Sequence, residues 1–415
     1  MNTVLSIKED RFLINESLTY SEIKGCPASY KGLLMNARFI QGIFNDKNNI
    51  NRYDRFGRTF NVKNNTEQLI NALPLWYSYG LRAITVGFQG GGACFTIDNK
   101  SVKNTPFSED GNIADVSYFD RMDKIIKAAD SLGMIVIVSA FYVGQARFLK
   151  NNKAVETALE NICTWINKNK YTNIILEIAN EQDLKGFEHL SIIQTEYGIE
   201  HLIKFAKSRI NVPVGCSSEG RMYYPAIGEA SDVILLHGNN ICSSEMAYMI
   251  RRAKCTSTKK PIVFNEDSPA ITRLEVAFDN GVSWGYYNNW TKQEPPTNWS
   301  IVSGSDEFFA YRLANYLGIP SRKPSEEFHL EGCEPNESFE GKRYISLSAL
   351  YPEKIQKVKY LLNGKVIGYS YDDPFFLIYF YNWLGLGYEF SSGDLLEAEI
   401  HLHDGAIKTI NKALK

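Results

Sequence analysis

Two glutamates stand where apolar, strand-forming runs stop. Asn173-Ile-Ile-Leu-Glu-Ile-Ala-Asn-Glu181 ends on Asn180-Glu181, and Pro261-Ile-Val-Phe-Asn-Glu266 ends on Asn265-Glu266. Carboxylates are seldom fully buried unless they are paired, so a buried strand that ends on one calls for a chemical reason. The Asn-Glu dipeptide carries no information alone, because it also occurs at 15–16 and 336–337, in polar, turn-like surroundings. Placement at two strand ends separates the other pair. Two such carboxyl groups facing one another across a cleft could act on an acetal. One would protonate the leaving oxygen, and the other would attack the anomeric carbon or activate water. The acid would need a raised pKa while its partner stays ionised.

Positioning two strand ends needs a strand-rich frame. Residues 4–20 read as short antiparallel strands broken by turns at Glu9-Asp10 and Asn15-Glu16. From about residue 31 the chain alternates strand and helix. Strands are expected over 32–44, 81–88, 134–142, 173–181, 212–218, 232–238, 261–266 and 281–287. Helices are expected over 66–79, 116–132, 154–169, 194–207, 243–253, 269–279 and 305–317. Asp115 is the expected N-cap of the second helix, and Gly133 its stop. Eight alternations are the number that closes a (β/α)8 barrel. An open doubly wound sheet is the alternative, but Gly90-Gly91-Gly92 lacks the G-x-G-x-x-G spacing that such a sheet commonly carries. Connections into strands are short, whereas those leaving strands are long and polar (45–65, 89–115, 182–193, 288–304). A barrel builds its site from the loops that leave its strands. Glu181 and Glu266 fall on that face, at the ends of the fourth and seventh strands.

Past Pro320-Ser-Arg-Lys-Pro324 the helical period disappears. Short strands are expected at 343–349, 356–361, 365–369, 395–401 and 406–410, with hairpin signals at Asn363-Gly364 and Asp404-Gly405. The fold class expected is therefore α/β: N-terminal strands (1–30), a (β/α)8 TIM barrel (31–325), and a small C-terminal β-sandwich domain (326–415). That last part could be structural or could bind carbohydrate. The composition fits a large core, with 44% apolar and 22% charged residues among 415. A net charge of −2 offers no phosphate-binding face and argues against a nucleic-acid partner. The aromatic share, 13%, suits either a large core or a cleft lined with rings. Seven dispersed cysteines without C-x-x-C spacing suit reduced thiols. The N-terminus shows no signal peptide, and the longest apolar run (134–143) is too short to cross a bilayer. A cytoplasmic location is expected, or a secreted one if a leader has been removed.

The pattern resembles the clan of retaining glycoside hydrolases with (β/α)8 barrels, of which the family 5 cellulases and mannanases are typical. Leu176-Glu-Ile-Ala-Asn-Glu181 is similar to the clan's strand-four motif, including Glu177. Ile262-Val-Phe-Asn-Glu266 is similar to its strand-seven motif, and Val282-Ser-Trp-Gly285 to its strand-eight motif. The resemblance spans roughly residues 31–320. It implies Glu181 as acid/base, Glu266 as nucleophile, Asn180 as a hydrogen-bond partner of the sugar 2-hydroxyl, and Trp284 as a platform under the sugar. The alternative for Trp284 is packing in the core. His237 matches a clan position that contacts the nucleophile region, or is a loop histidine with its hydrogen bond satisfied. Two departures stand out. Gln182 follows Glu181 where the clan has proline, and strand two lacks the clan's late arginine. Arg38 on strand one could replace that arginine or face a surface partner, and Gln89 is the polar group at the strand-two exit.

Glu219, after strand five, is either a substrate contact or exposed. Scattered histidines argue against a metal site, no G-x-S-x-G elbow is present, and no cofactor is implied. The expected partner is a β-linked oligosaccharide or glycoside, with neither nucleic acid nor membrane. A transglycosylase would use the same two glutamates. A carbohydrate-binding barrel without turnover would not need both.

Overall fold

The computed structural model describes residues 1–93, 95–256, 259–377 and 388–415. The N-terminal strands are β1 (Leu5–Lys8), β2 (Arg11–Ile14) and β3 (Ser17–Leu18), paired antiparallel in that order. The eight strands expected after them are β4 (Asn36–Arg38), β5 (Ala83–Gly87), β6 (Ile135–Tyr142), β7 (Ile174–Asn180), β8 (Val214–Gly215), β9 (Ile234–His237), β10 (Ile262–Glu266) and β11 (Gly285–Tyr286). Six of them form a parallel sheet in the order β11-β4-β5-β6-β7-β8. β9 and β10 pair parallel with each other. Val263 bridges to Ser283 just before β11, and the Asp232 amide donates to the Val214 carbonyl at 2.8 Å. The β-branched and apolar content of these strands fits burial on both faces.

The two faces bury different partners. Val136, Val138, Ile174, Leu176, Ile262 and Phe264 pack with the helices in the main core. Ile135, Ile137, Ile175 and Val263 belong to a second cluster capped by Leu5 and Phe12 of β1 and β2. This is the period of two expected of strands. The N-terminal strands thus cover the end of the sheet away from the long loops, and the Leu5 amide donates to the Thr172 carbonyl at 2.9 Å.

Helices follow where apolar residues recur at helical spacing. The first runs Val62–Ser78, four residues earlier than expected, because Asn61 caps it by accepting from the Asn64 amide. The second runs Ser117–Leu132 and stops at Gly133, whose φ of 77° suits a residue without Cβ. Its N-cap is Val116 and not Asp115. The Asp115 carboxylate still accepts from the Ser117 amide at 3.1 Å. A helix at Pro225–Ala230 had no counterpart in the sequence reading, since six residues are too few to show a period.

Beyond residue 325 the chain is antiparallel. β12 (Phe328–Glu331), β13 (Ser338–Phe339), β14 (Lys342–Arg343), β15 (Ser346–Ala349), β16 (Ile355–Leu362), β17 (Lys365–Ser370), β18 (Leu395–Leu402) and β19 (Ile407–Ala413) form a four-stranded sheet, β17-β16-β18-β19, and two pairs, β12-β15 and β13-β14. The Asn363-Gly364 turn joins β16 to β17 with both residues at positive φ, as a tight primed turn requires. This part has its own apolar cluster, including Leu330, Leu347, Val358, Tyr360 and Ile400. It is fastened to the parallel-sheet part by buried polar contacts. Glu331 accepts from the Ser305 amide at 2.9 Å, and Arg312 donates to the Leu350 carbonyl at 2.8 Å.

The six described cysteines are free, while Cys94 lies outside the described residues. Among the described residues, no helix is long and apolar enough to cross a membrane.

Candidate active site

β7 delivers Glu181 in an unusual backbone state. Its φ is 52°, in the left-handed region that residues with a Cβ seldom occupy. Such conformations cost of order 1–3 kcal/mol and persist where the surroundings enforce them. Here the Glu181 amide donates to Ser217 Oγ at 3.2 Å, at the end of β8. Ser217 Oγ in turn donates to Glu177 Oε1 at 2.6 Å, and Asn265 Nδ2 donates to the same oxygen at 2.9 Å. Glu177 is fully buried and ties β7, β8 and β10 together beneath the strand ends.

Glu266 reaches the same place through an irregularity. Along β10, strict alternation would put Glu266 on the face of Ile262 and Phe264. The pairing with β9 slips between Phe264 and Glu266, so that Glu266 stands beside His237. A bulge of this kind re-aims one side chain without disturbing the rest of the strand. Asn239 Nδ2 donates to Glu266 Oε1 at 2.7 Å, and Arg38 Nε lies 2.8 Å from Glu266 Oε2. The Arg38 side chain is 2% exposed, and its guanidinium also donates to Asn180 Oδ1 and sits over the Tyr287 ring at 5.6 Å.

His237, fully buried at the end of β9, lies between the two glutamates. Its Nδ1 is 3.1 Å from Glu181 Oε1 and 3.6 Å from Glu266 Oε2, and its Nε2 is 3.9 Å from Glu177 Oε1. Burial pulls the His237 pKa down. The Glu266 charge and the hydrogen bond to Glu181 outweigh that and leave it raised. The Glu181 pKa is raised, first by desolvation and then by the charge of Glu266, against the opposing hydrogen bond from His237. Burial likewise opposes the Arg38 charge, but Glu266 and the other acids hold its pKa up. The site is thus a network of buried Arg38, Asn180, His237 and Glu266 with half-buried Glu181. One atom each from Glu181, His237 and Glu266 lies within 4.8 Å of the others, a set that could also hold a cation. Arg38 already supplies positive charge against Glu266, which disfavours a second cation there.

Five of the seven expected residues come together: Glu181, Glu266, Asn180, His237 and Arg38. Arg38 is buried and does not face a surface partner, and His237 is the last residue of β9 and not part of a loop. Trp284 departs from expectation. It is fully buried among Tyr286 and Phe309, and its indole Nε1 donates to Asp267 Oδ2 at 2.6 Å. No ring face is left for a sugar. Asp267 is also paired with Arg273, so Trp284 braces the turn that follows Glu266. Gln89 departs too. Its Nε2 donates to Thr105 Oγ1 at 3.0 Å and its Oε1 accepts from the Tyr142 amide at 3.1 Å, so both ends of the amide tie a loop to β6. Glu219 is exposed. Ser217, Asn239 and Asn265 were not anticipated. Asn265 had a signal, since it precedes a strand-end glutamate as Asn180 does; Ser217 and Asn239 had none.

No family model matches the sequence, and no curated protein matches it. Among solved structures the chain is similar to glycoside hydrolases. One, a putative glycoside hydrolase from Bacteroides vulgatus ATCC 8482, superposes with a TM-score of 0.52 at 10% identity, over 88% of this chain and 75% of that one. A family 5 glycoside hydrolase from the same organism gives 0.51 at 12%, over 86% and 87%. A third structure, described as a glycoside hydrolase, gives 0.50 at 12%, over 89% and 92%. This chain therefore shares its fold with glycoside hydrolases.

Proposed function

We propose that the protein is a retaining glycoside hydrolase acting on β-linked glycosides or oligosaccharides, with Glu181 as acid/base and Glu266 as nucleophile. One observation carries the reading: one atom each from Glu181, His237 and Glu266 lies within 4.8 Å of the others, so the two carboxyl groups stand close together in one site. Retaining enzymes keep their carboxyl groups about 5–5.5 Å apart, and inverting ones about 6.5–9.5 Å. The wider frame belongs to the same proposal. The eight parallel strands close as a (β/α)8 barrel over 31–325, supported by the β11–β4 pairing, the Val263–Ser283 bridge and the Asp232–Val214 hydrogen bond. Residues 326–415 form a β-sandwich domain, supported by their separate apolar cluster.

In the first step the Glu266 carboxylate attacks the anomeric carbon while Glu181 gives its proton to the departing glycosidic oxygen. The C–O bond breaks, the alcohol leaves, and a glycosyl ester on Glu266 remains. Glu181, now a carboxylate, then takes a proton from water as the water oxygen attacks the same carbon. The ester bond breaks and both carboxyl groups return to their starting states. The raised proton affinity of Glu181 suits the acid role. Arg38 supplies counter-charge to Glu266 and holds Asn180 Oδ1, which leaves the Asn180 amide NH2 to donate to the sugar 2-hydroxyl.

The test is a panel of aryl β-glycosides and β-linked oligosaccharides. On a verified substrate Glu266→Gln is expected to abolish turnover. Glu181→Gln should spare activated aryl leaving groups and harm poor ones. Wild-type rates in either variant would refute the assignment.

A further inference from the structure

A cavity of about 700 Å³ opens beside the candidate active site, walled on one side by loops that leave the parallel strands and on the other by the end of β17 and the segment after it. Its volume falls within the roughly 300–1,000 Å³ typical of small-molecule sites. Two features connect it to the glutamates. Asn239, which lines it, donates to Glu266 Oε1 at 2.7 Å, and Asp267, the residue after Glu266, lines it too. The far wall presents Tyr369 and Tyr371, which are 49% and 63% exposed. Neither ring is spent on the core. An exposed tyrosine offers a rigid apolar face with a polar tip, the combination that suits a sugar ring with its C–H face and rim of hydroxyls. Asn240 and Glu245 also line the cavity with polar side chains.

The two walls are fixed relative to each other. Asp373, just past Tyr371, accepts through Oδ2 from both the amide and the hydroxyl of Thr272, each at 3.0 Å. Thr272 opens the helix Thr272–Asp279, whose Arg273 pairs with Asp267. The C-terminal part is therefore anchored to the turn that carries Glu266, and the cavity has a defined shape.

We propose that this cavity holds the distal sugar units of an oligosaccharide whose scissile bond lies between Glu181 and Glu266, and that the C-terminal part supplies the stacking surface through Tyr369 and Tyr371. The inference rests on the proposed glycosidase reading and deepens it. The substrate is an oligosaccharide rather than a simple glycoside, and the C-terminal part selects for its length.

Binding tests this independently of turnover. Glu266→Gln protein is titrated calorimetrically with β-linked gluco- and manno-oligosaccharides of increasing length, with and without Tyr369→Ala and Tyr371→Ala. Affinity for one series is expected to rise with length, and each alanine variant should weaken the longer members about tenfold without affecting the shortest. Tyr371→Phe, which keeps the ring, should retain the length dependence. In the active enzyme the alanine variants should leave aryl-glycoside kcat/KM unchanged. The proposal is overturned by affinity that does not grow with length in either series, or by length dependence that survives both alanine substitutions. The glycosidase reading fails by a different result, full turnover in Glu266→Gln on an aryl glycoside.

Discussion

The buried pair of Arg38 and Glu266 makes a quantitative prediction. Arg38 Nε stands 2.8 Å from Glu266 Oε2, with the two side chains 2% and 9% exposed. Arg38→Met keeps most of the apolar stem and removes the charge. Glu266 then keeps Asn239 at 2.7 Å and His237 Nδ1 at 3.6 Å, but loses its guanidinium. Removing one partner of a buried pair costs about 3–5 kcal/mol, because the other charge is left uncompensated. The remaining contacts put this site at the low end, about 3 kcal/mol. Replacing both members by neutral groups is often close to neutral. Arg38→Met/Glu266→Gln should therefore recover about 2 kcal/mol relative to the sum of the single variants, a coupling readily resolved in a double-mutant cycle. Guanidinium denaturation followed by tryptophan fluorescence measures it, since Trp76, Trp284 and Trp299 are buried in the core that surrounds the site. A cost below about 0.5 kcal/mol for Arg38→Met, or strict additivity in the cycle, would refute the electrostatic account.

Three further outcomes concern pH. The acid form of Glu181 is favoured by desolvation, so activity on poor leaving groups should persist above the usual carboxylate range and fall as pH rises through the raised pKa. His237→Gln removes a hydrogen bond that favours the Glu181 carboxylate, so the alkaline limb of the kcat/KM profile should move to higher pH; a shift to lower pH would contradict the geometry. Asp373 behaves as a stability switch. Desolvation raises its pKa from the usual 3.8 to about 6, against the opposing hydrogen bonds from Thr272. A carboxyl group with a raised folded-state pKa favours the fold while protonated. Its penalty is therefore absent below 3.8 and complete above about 6. Two pKa units set an upper bound of about 3 kcal/mol, lessened by the partial exposure of the residue. Asp373→Asn, which can still accept from Thr272, should leave melting unchanged at low pH and stabilise the protein at neutral pH. Equal effects at both would rule this out.

The strand ends were legible because a long apolar run that stops on a carboxylate is hard to explain by packing. The order of strands and helices placed Glu181 and Glu266 on one face, whereas His237 and Arg38 entered only through the resemblance to the glycoside hydrolase clan. The direction in which each side chain points was harder to read. Trp284 shows why. Gly285 faces Asn36, where a Cβ would come within 2.4 Å of Asn36 Oδ1, so Trp284 and Tyr286 must face the helices. The sequence did hold that clue, with small Ser283 and Gly285 alternating with large Trp284 and Tyr286. Gln89 lies past the end of β5, where no periodicity constrains direction, and its amide found backbone and hydroxyl partners.

Glu266 is the converse. Parity alone would turn it toward the helices with Phe264, and only the slip in pairing with β9 brings it to His237. A one-residue irregularity leaves no compositional trace, since the bulged residue is Asn265, neither glycine nor proline. What holds the slip is a buried hydrogen bond between strands, from Asn265 Nδ2 to Glu177 Oε1. Glu177 thus does for Glu266 what Ser217 does for Glu181. It fixes the backbone below the carboxyl group, so that both acids reach the cleft from strands whose simple alternation would not have delivered them together. The acids are specified in two places in the chain, but their meeting is specified in a third, the polar layer of Glu177, Ser217 and Asn265 beneath them.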